Sequence, residues 1–91
     1  MKHEREIPHY EGEIDTLATK IGRLTFDQLG TFLGVLTEDL NEQSEADFER
    51  NRPKLAAELA EAAHLIEQAK ERIDEAWQIS ESHMTTEERG K

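Results

Sequence analysis

The chain contains no cysteine, which excludes both a disulfide framework and a thiolate metal site. Large aromatic side chains are scarce: one tryptophan, one tyrosine and three phenylalanines. Positive charge is also in short supply, with 11 Lys and Arg against 21 Asp and Glu and a formal net charge of −10. Duplex DNA and anionic membrane surfaces are disfavoured as ligands, because their phosphates would be repelled. A basic protein partner or hydrated divalent cations stay open. No apolar run approaches the roughly 18 residues of a membrane span. The N-terminal MKHEREIPHYEGE lacks the apolar stretch of a signal peptide. A cytoplasmic location is the expectation.

What the sequence does have is helical periodicity. From Pro53 to about Ser80 the residues Leu55, Leu59, Ala62, Ile66, Ala69, Ile73 and Ala76 recur at alternating four- and three-residue steps, the spacing of one coiled-coil-like stripe. Ala, Leu, Glu, Gln, Lys and Arg fill most other positions, so local propensity agrees with the pattern. Earlier in the chain Ile14, Leu17, Ala18 and Ile21 fit a short helix ended near Gly22. Thr25-Phe26-Asp27-Gln28 reads as a capping box opening the next helix. That helix carries Phe26, Leu29, Phe32, Leu33, Val35, Leu36 and Leu40. At 100° per residue these cover nearly half its circumference, wider than one neighbour requires.

After Leu40 the apolar content collapses: Glu38 to Glu49 holds six acids and no base, and beyond Leu40 Phe48 is its sole large apolar residue. Pro53 then disfavours helix at Arg52 and suits the first turn of a new helix, which favours a reversal at 50–52; the alternative is a turn at 41–44 and a helix from Ser44 with Pro53 as a kink. Arg50, Arg52 and Lys54 make that tip locally basic. The expected organisation is an irregular arm over 1–12, a helical hairpin domain over 13–80, and a mobile C-terminal tail over 81–91. The fold class is all-α: a short helix plus a long antiparallel hairpin. Two long helices form one layer, which cannot enclose a core, so a homodimeric four-helix bundle is expected. Its interface residues would be Phe26, Leu29, Phe32, Leu33, Val35, Leu36, Leu40, Ile66, Ile73 and Trp77.

Few motifs carry chemistry. Glu61-Ala-Ala-His64 is the one Glu-x-x-His, a spacing used with further glutamates in ferritin-like di-iron bundles. Glu58 or Glu38 would complete such a set. On the helical wheel, however, Glu61 and His64 point away from the apolar stripe. Acidic pairs three residues apart (Asp39/Glu42, Glu42/Glu45, Glu58/Glu61, Glu71/Asp74) resemble the Mg²⁺-holding pattern of all-α MazG-type pyrophosphohydrolases. Composition alone produces about four or five such pairs, and four are present. No metal site, cofactor or catalytic residue is assigned. No nucleophile-and-base set stands out either. His3, His9 and His83 share no ligand spacing.

Gly30 and Gly34, with Thr37 continuing the row, suggest a close helix approach, since glycine inside a helix costs about 1 kcal/mol relative to alanine. The Ala56/Ala63 flank is the expected neighbour. The function expected is a small acidic oligomeric adaptor or regulator, non-enzymatic, meeting partners through Phe32, Val35, Arg50 and Arg52. The competing classes are a metal-binding protein using Glu58, Glu61 and His64, and an acidic mimic of nucleic acid built on 38–49.

Overall fold

A computed structural model describes residues 3–83. Among them the chain forms three helices and no strand: α1 (Ile14–Gly22), α2 (Phe26–Glu49) and α3 (Pro53–His83). No helix among the described residues is long and apolar enough to cross a membrane. The last helix continues three residues past the expected end at Ser80; positions 84–91 of the expected tail lie outside the described residues. Only α2 and α3 pack extensively, and α1 touches the hairpin marginally. Accordingly α1 has no buried residue, and Ile14 is 70% exposed.

The reversal between α2 and α3 is closed by backbone chemistry. The Asn51 N–H donates to the Phe48 carbonyl at 3.0 Å and the Arg52 N–H to the Asp47 carbonyl at 2.9 Å. Asn51 sits at φ 63°, so these bonds form a Schellman motif with Asn51 in its left-handed position. In such motifs an apolar contact usually joins the two residues that here are Asp47 and Arg52. Here a salt bridge of 3.5 Å takes that place. Arg50 adds a second contact to Asp47 at 3.9 Å. The two cations offset the cost of holding an almost buried carboxylate near the negative end of α2. Pro53 then begins α3 where its missing N–H costs nothing.

The start of α2 differs from the expected capping box. Thr25 makes no side-chain cap hydrogen bond to the backbone. Its hydroxyl donates instead to the Asp27 carboxylate at 2.5 Å, which turns the side chain toward Asp27 and away from the Gln28 backbone N–H that a capping box has it accept from.

The contact between α2 and α3 follows Gly30, Leu33, Thr37, Leu40, Ser44 and Asp47 on one side and Ala56, Leu59, Ala63, Ile66, Lys70, Ile73 and Trp77 on the other, all buried or half-buried. Three- and four-residue steps alternate along both rows, the spacing of an antiparallel coiled-coil seam. On α3 this corrects the expected stripe. Leu59, Ile66 and Ile73 belong to both rows, but Leu55 and Ala69 are exposed while Ala56 and Ala63 are buried. Small residues on α2 select the row. Gly30, Thr37 and Ser44, each seven residues apart, let the helix backbones come close. The Ser44 hydroxyl donates to the Ala56 backbone carbonyl at 2.6 Å across the gap. Thr37 spends its hydroxyl on its own helix, donating to the Leu33 carbonyl at 2.9 Å.

Gly30 and Gly34 do face α3, but further from the turn than the Ala56/Ala63 flank. A Cβ on Gly30 would collide with the Asp74 carboxylate, and one on Gly34 would lie 2.9 Å from Lys70 Cε. The glycines leave room for the Lys70 stem and for its 2.7 Å ion pair with Asp74, which is how a lysine occupies a seam position.

The result is a flat layer. Its principal extents are 53 × 30 × 15 Å and its radius of gyration is 16.3 Å, against about 12 Å for a compact domain of this length. Ala56 and Ala63 are the only buried apolar residues among those described.

Two substitutions test the turn and the seam by urea unfolding followed by circular dichroism. Asn51→Ala should lose about 1 kcal/mol or more, because a Cβ penalises the left-handed conformation, whereas Asn51→Gly should retain stability. Gly34→Ala should gain up to about 1 kcal/mol from helix propensity, since only the flexible end of Lys70 must move aside.

Candidate functional site

With the seam fixed, the remaining positions of α2 and α3 divide by helical phase into two faces. One face collects Leu29, Phe32, Leu36 and Ala46 from α2 with Leu55, Ala62, Leu65, Ala69 and Ala76 from α3. It is apolar apart from Asp39, Gln43, Glu58 and Arg72. Phe32 is 39% exposed, Leu55 46% and Leu65 56%. At the tip end a small cavity of about 100 Å³ is lined by Gln43, Ala46, Leu55, Arg50, Arg52 and the arm residue His3, which places flanks of both helices on this same side.

The opposite face is acidic. It carries Asp27, Glu38 and Glu45 of α2 and Glu67, Glu71 and Asp74 of α3, with Thr31, Asn41 and His64 between them. The neighbouring cation is Lys70, already engaged with Asp74. At the tip this face changes character. Phe48, 68% exposed, Pro53, Ala57 and Ala60 line an open groove of about 450 Å³, with Ser44 and Ala56 at its floor and Glu45 and Glu49 at its edge.

The residues singled out from the sequence fall into three groups. Leu33, Leu40, Ile66, Ile73 and Trp77 are half-buried in the seam between α2 and α3. Leu29 and Leu36 are half-buried on the edge of the apolar face, where Phe32 is exposed. Phe26 is exposed at 38% at the start of α2, and Val35, at 61%, lies on the back of α2 opposite α3. Of the broad apolar arc of α2, Leu33 and Leu40 therefore serve the hairpin seam itself. Arg50 and Arg52, expected as contacts at the tip, are held against Asp47.

Glu58, Glu61 and His64 are all exposed, but their helical phase spreads them from the apolar face (Glu58) across the back of α3 (Glu61) to the acidic face (His64). Glu38 lies on the other helix. Among the described residues no three His, Asp or Glu side chains are grouped so as to hold a metal ion. Every buried side-chain nitrogen and oxygen among them has a hydrogen-bond partner.

The groove at Phe48 is the feature that sequence reasoning missed. Its signal was a lone phenylalanine within an acidic run, but the alanines that complete the wall come from α3 and are recognisable only once the turn is placed.

Comparison of the chain with family models, with curated proteins and with solved structures gave no match. The chemistry of its surfaces is thus the guide to function. Because Glu58, Glu61 and His64 are exposed on α3, replacing each with alanine should change unfolding free energy by no more than about 0.5 kcal/mol, as read from urea denaturation.

Proposed function

We propose that this chain is a non-enzymatic helical interaction module, which pairs through the apolar face of its hairpin into a four-helix bundle and acts as an adaptor or regulator of another protein. One observation carries the reading. Among the described residues the hairpin buries only Ala56 and Ala63 of its apolar side chains, while Phe32, Leu55 and Leu65 stand exposed on one side. A layer of two helices leaves that side in water unless something covers it. A second copy is the simplest cover, because a two-fold axis lays the same face against itself. The acidic faces then point outward from both sides of the bundle. Such a bundle has no large basic field, and its outer charge suits contact with basic proteins.

The test is the mass in solution. Light scattering coupled to size exclusion should return twice the 10.5 kDa of the chain. Phe32→Glu and Leu65→Glu should each shift the equilibrium toward single chains. Burial of one such side chain contributes about 1.5–3 kcal/mol, so association should weaken by about tenfold or more. A particle of one chain's mass at micromolar concentration, unaltered by either substitution, would overturn the reading.

A further inference from the structure

We propose that the groove at the tip of the hairpin binds a basic amphipathic helix of a partner protein, which seats an apolar side chain against Phe48 and lays its Lys and Arg residues along the outer edge of α2. The proposal rests on the interaction-module reading above but uses a different surface from the one assigned to self-association. Three observations converge on it.

The groove is of ligand size and apolar. Its volume of about 450 Å³ falls within the range of about 300–1,000 Å³ that binding clefts occupy. Phe48, Pro53, Ala57 and Ala60 supply its walls, and Phe48 holds its ring 68% exposed among acidic neighbours. A cleft between two antiparallel helices is the geometry into which an amphipathic helix lays its apolar anchors.

The rim has one sign of charge and a helical repeat. Glu38, Glu42, Glu45 and Glu49 succeed one another at steps of four, three and four residues, which aligns them on a single stripe of α2 beside the groove. Among the described residues none of the four makes a side-chain hydrogen bond or an ion pair. Each adjacent pair on the stripe repels and destabilises the helix. A helix presenting Lys or Arg at the same repeat relieves that repulsion while its apolar residue fills the cleft.

Neither long helix of a second copy can be the occupant, and α1 carries a single cation, Lys20. Phe26–Glu49 contains no Lys or Arg, and α3 carries only Lys54, Lys70 and Arg72, with Lys70 committed to Asp74. Nothing in either long helix offers a cationic stripe around an apolar anchor. Charge complementarity therefore selects a different protein, with a basic helix.

The experiment uses the full chain and a fluorescently labelled synthetic peptide of leucine and lysine, arranged so that leucines form one helical stripe flanked by lysines. A peptide of the same composition in scrambled order is the control. Anisotropy titration should show the ordered peptide binding once per chain and the scrambled one at least about tenfold more weakly. Phe48→Ser, which removes an exposed ring, and Ala60→Gln, which fills the groove from an exposed position of α3, should each weaken binding about tenfold or more. The double change Glu42→Gln with Glu45→Gln should weaken it and flatten its dependence on salt. Leu65→Glu, which acts on the other face, should leave peptide affinity per chain unchanged even where it separates the copies. Equal binding of both peptides, or full affinity in both Phe48→Ser and Ala60→Gln, would overturn the groove. Loss of binding in Leu65→Glu alone would move the site to the apolar face and overturn it as well. Circular dichroism of each variant checks that the helices persist.

Discussion

The close approach of α2 and α3 governs this molecule. Glycine, threonine and serine recur along the inner side of α2, and alanines answer them on α3. Such residues let two backbones come near enough for a serine hydroxyl to reach the opposite main chain. They also leave little apolar volume to bury. A seam lined with leucines would hold the helices further apart and hide more hydrocarbon from water. Here the tight seam fixes register and orientation, the larger apolar side chains along it (Leu33, Leu40, Ile66, Ile73 and Trp77) are only half-buried, and others are displaced to its flank.

That displacement makes the hairpin two-sided. On one side apolar groups from both helices share a surface; on the other, carboxylates crowd around an apolar cleft at the tip. Even the seam is used economically. Lys70 threads past Gly34 and binds Asp74 beyond it, so the charged end of a seam residue joins the polar side. The Asp47 carboxylate, nearly buried, is held by two arginines that the sequence places within five residues. These arginines consequently serve the turn, and part of the positive charge at the tip is engaged by Asp47.

Two helix boundaries were legible in the sequence because they have a local cause: α1 ends at Gly22, and Pro53 opens α3. The apolar period announced a hairpin for the same reason. Which side of α3 meets α2 was not legible. Leu59, Ile66 and Ile73 fit both rows, and the choice between Ala56/Ala63 and Leu55/Ala62 depends on the size of residues on another helix. The role of Gly30 and Gly34 was half legible. Their spacing marked a close approach, but their partner is an ion pair on α3, and no rule about small residues would point to a lysine. The cleft at Phe48 needed both helices and the turn, so it belonged to tertiary structure alone.

The stitched reversal at Asn51 also bears on the order in which the chain assembles. Ser44 and Ala56 meet across a loop of twelve residues, whereas Gly30 and Asp74, at the far end, are brought together only by closing nearly the whole hairpin. The shorter loop forfeits less chain entropy on closing. Pairing therefore zips from the tip toward the open end, and local contacts of that kind favour fast folding. The same gradient runs in reverse at equilibrium. The end that holds Phe26 and Phe32 closes last and frays first, so two of the three phenylalanines of α2 stand where the hairpin is loosest.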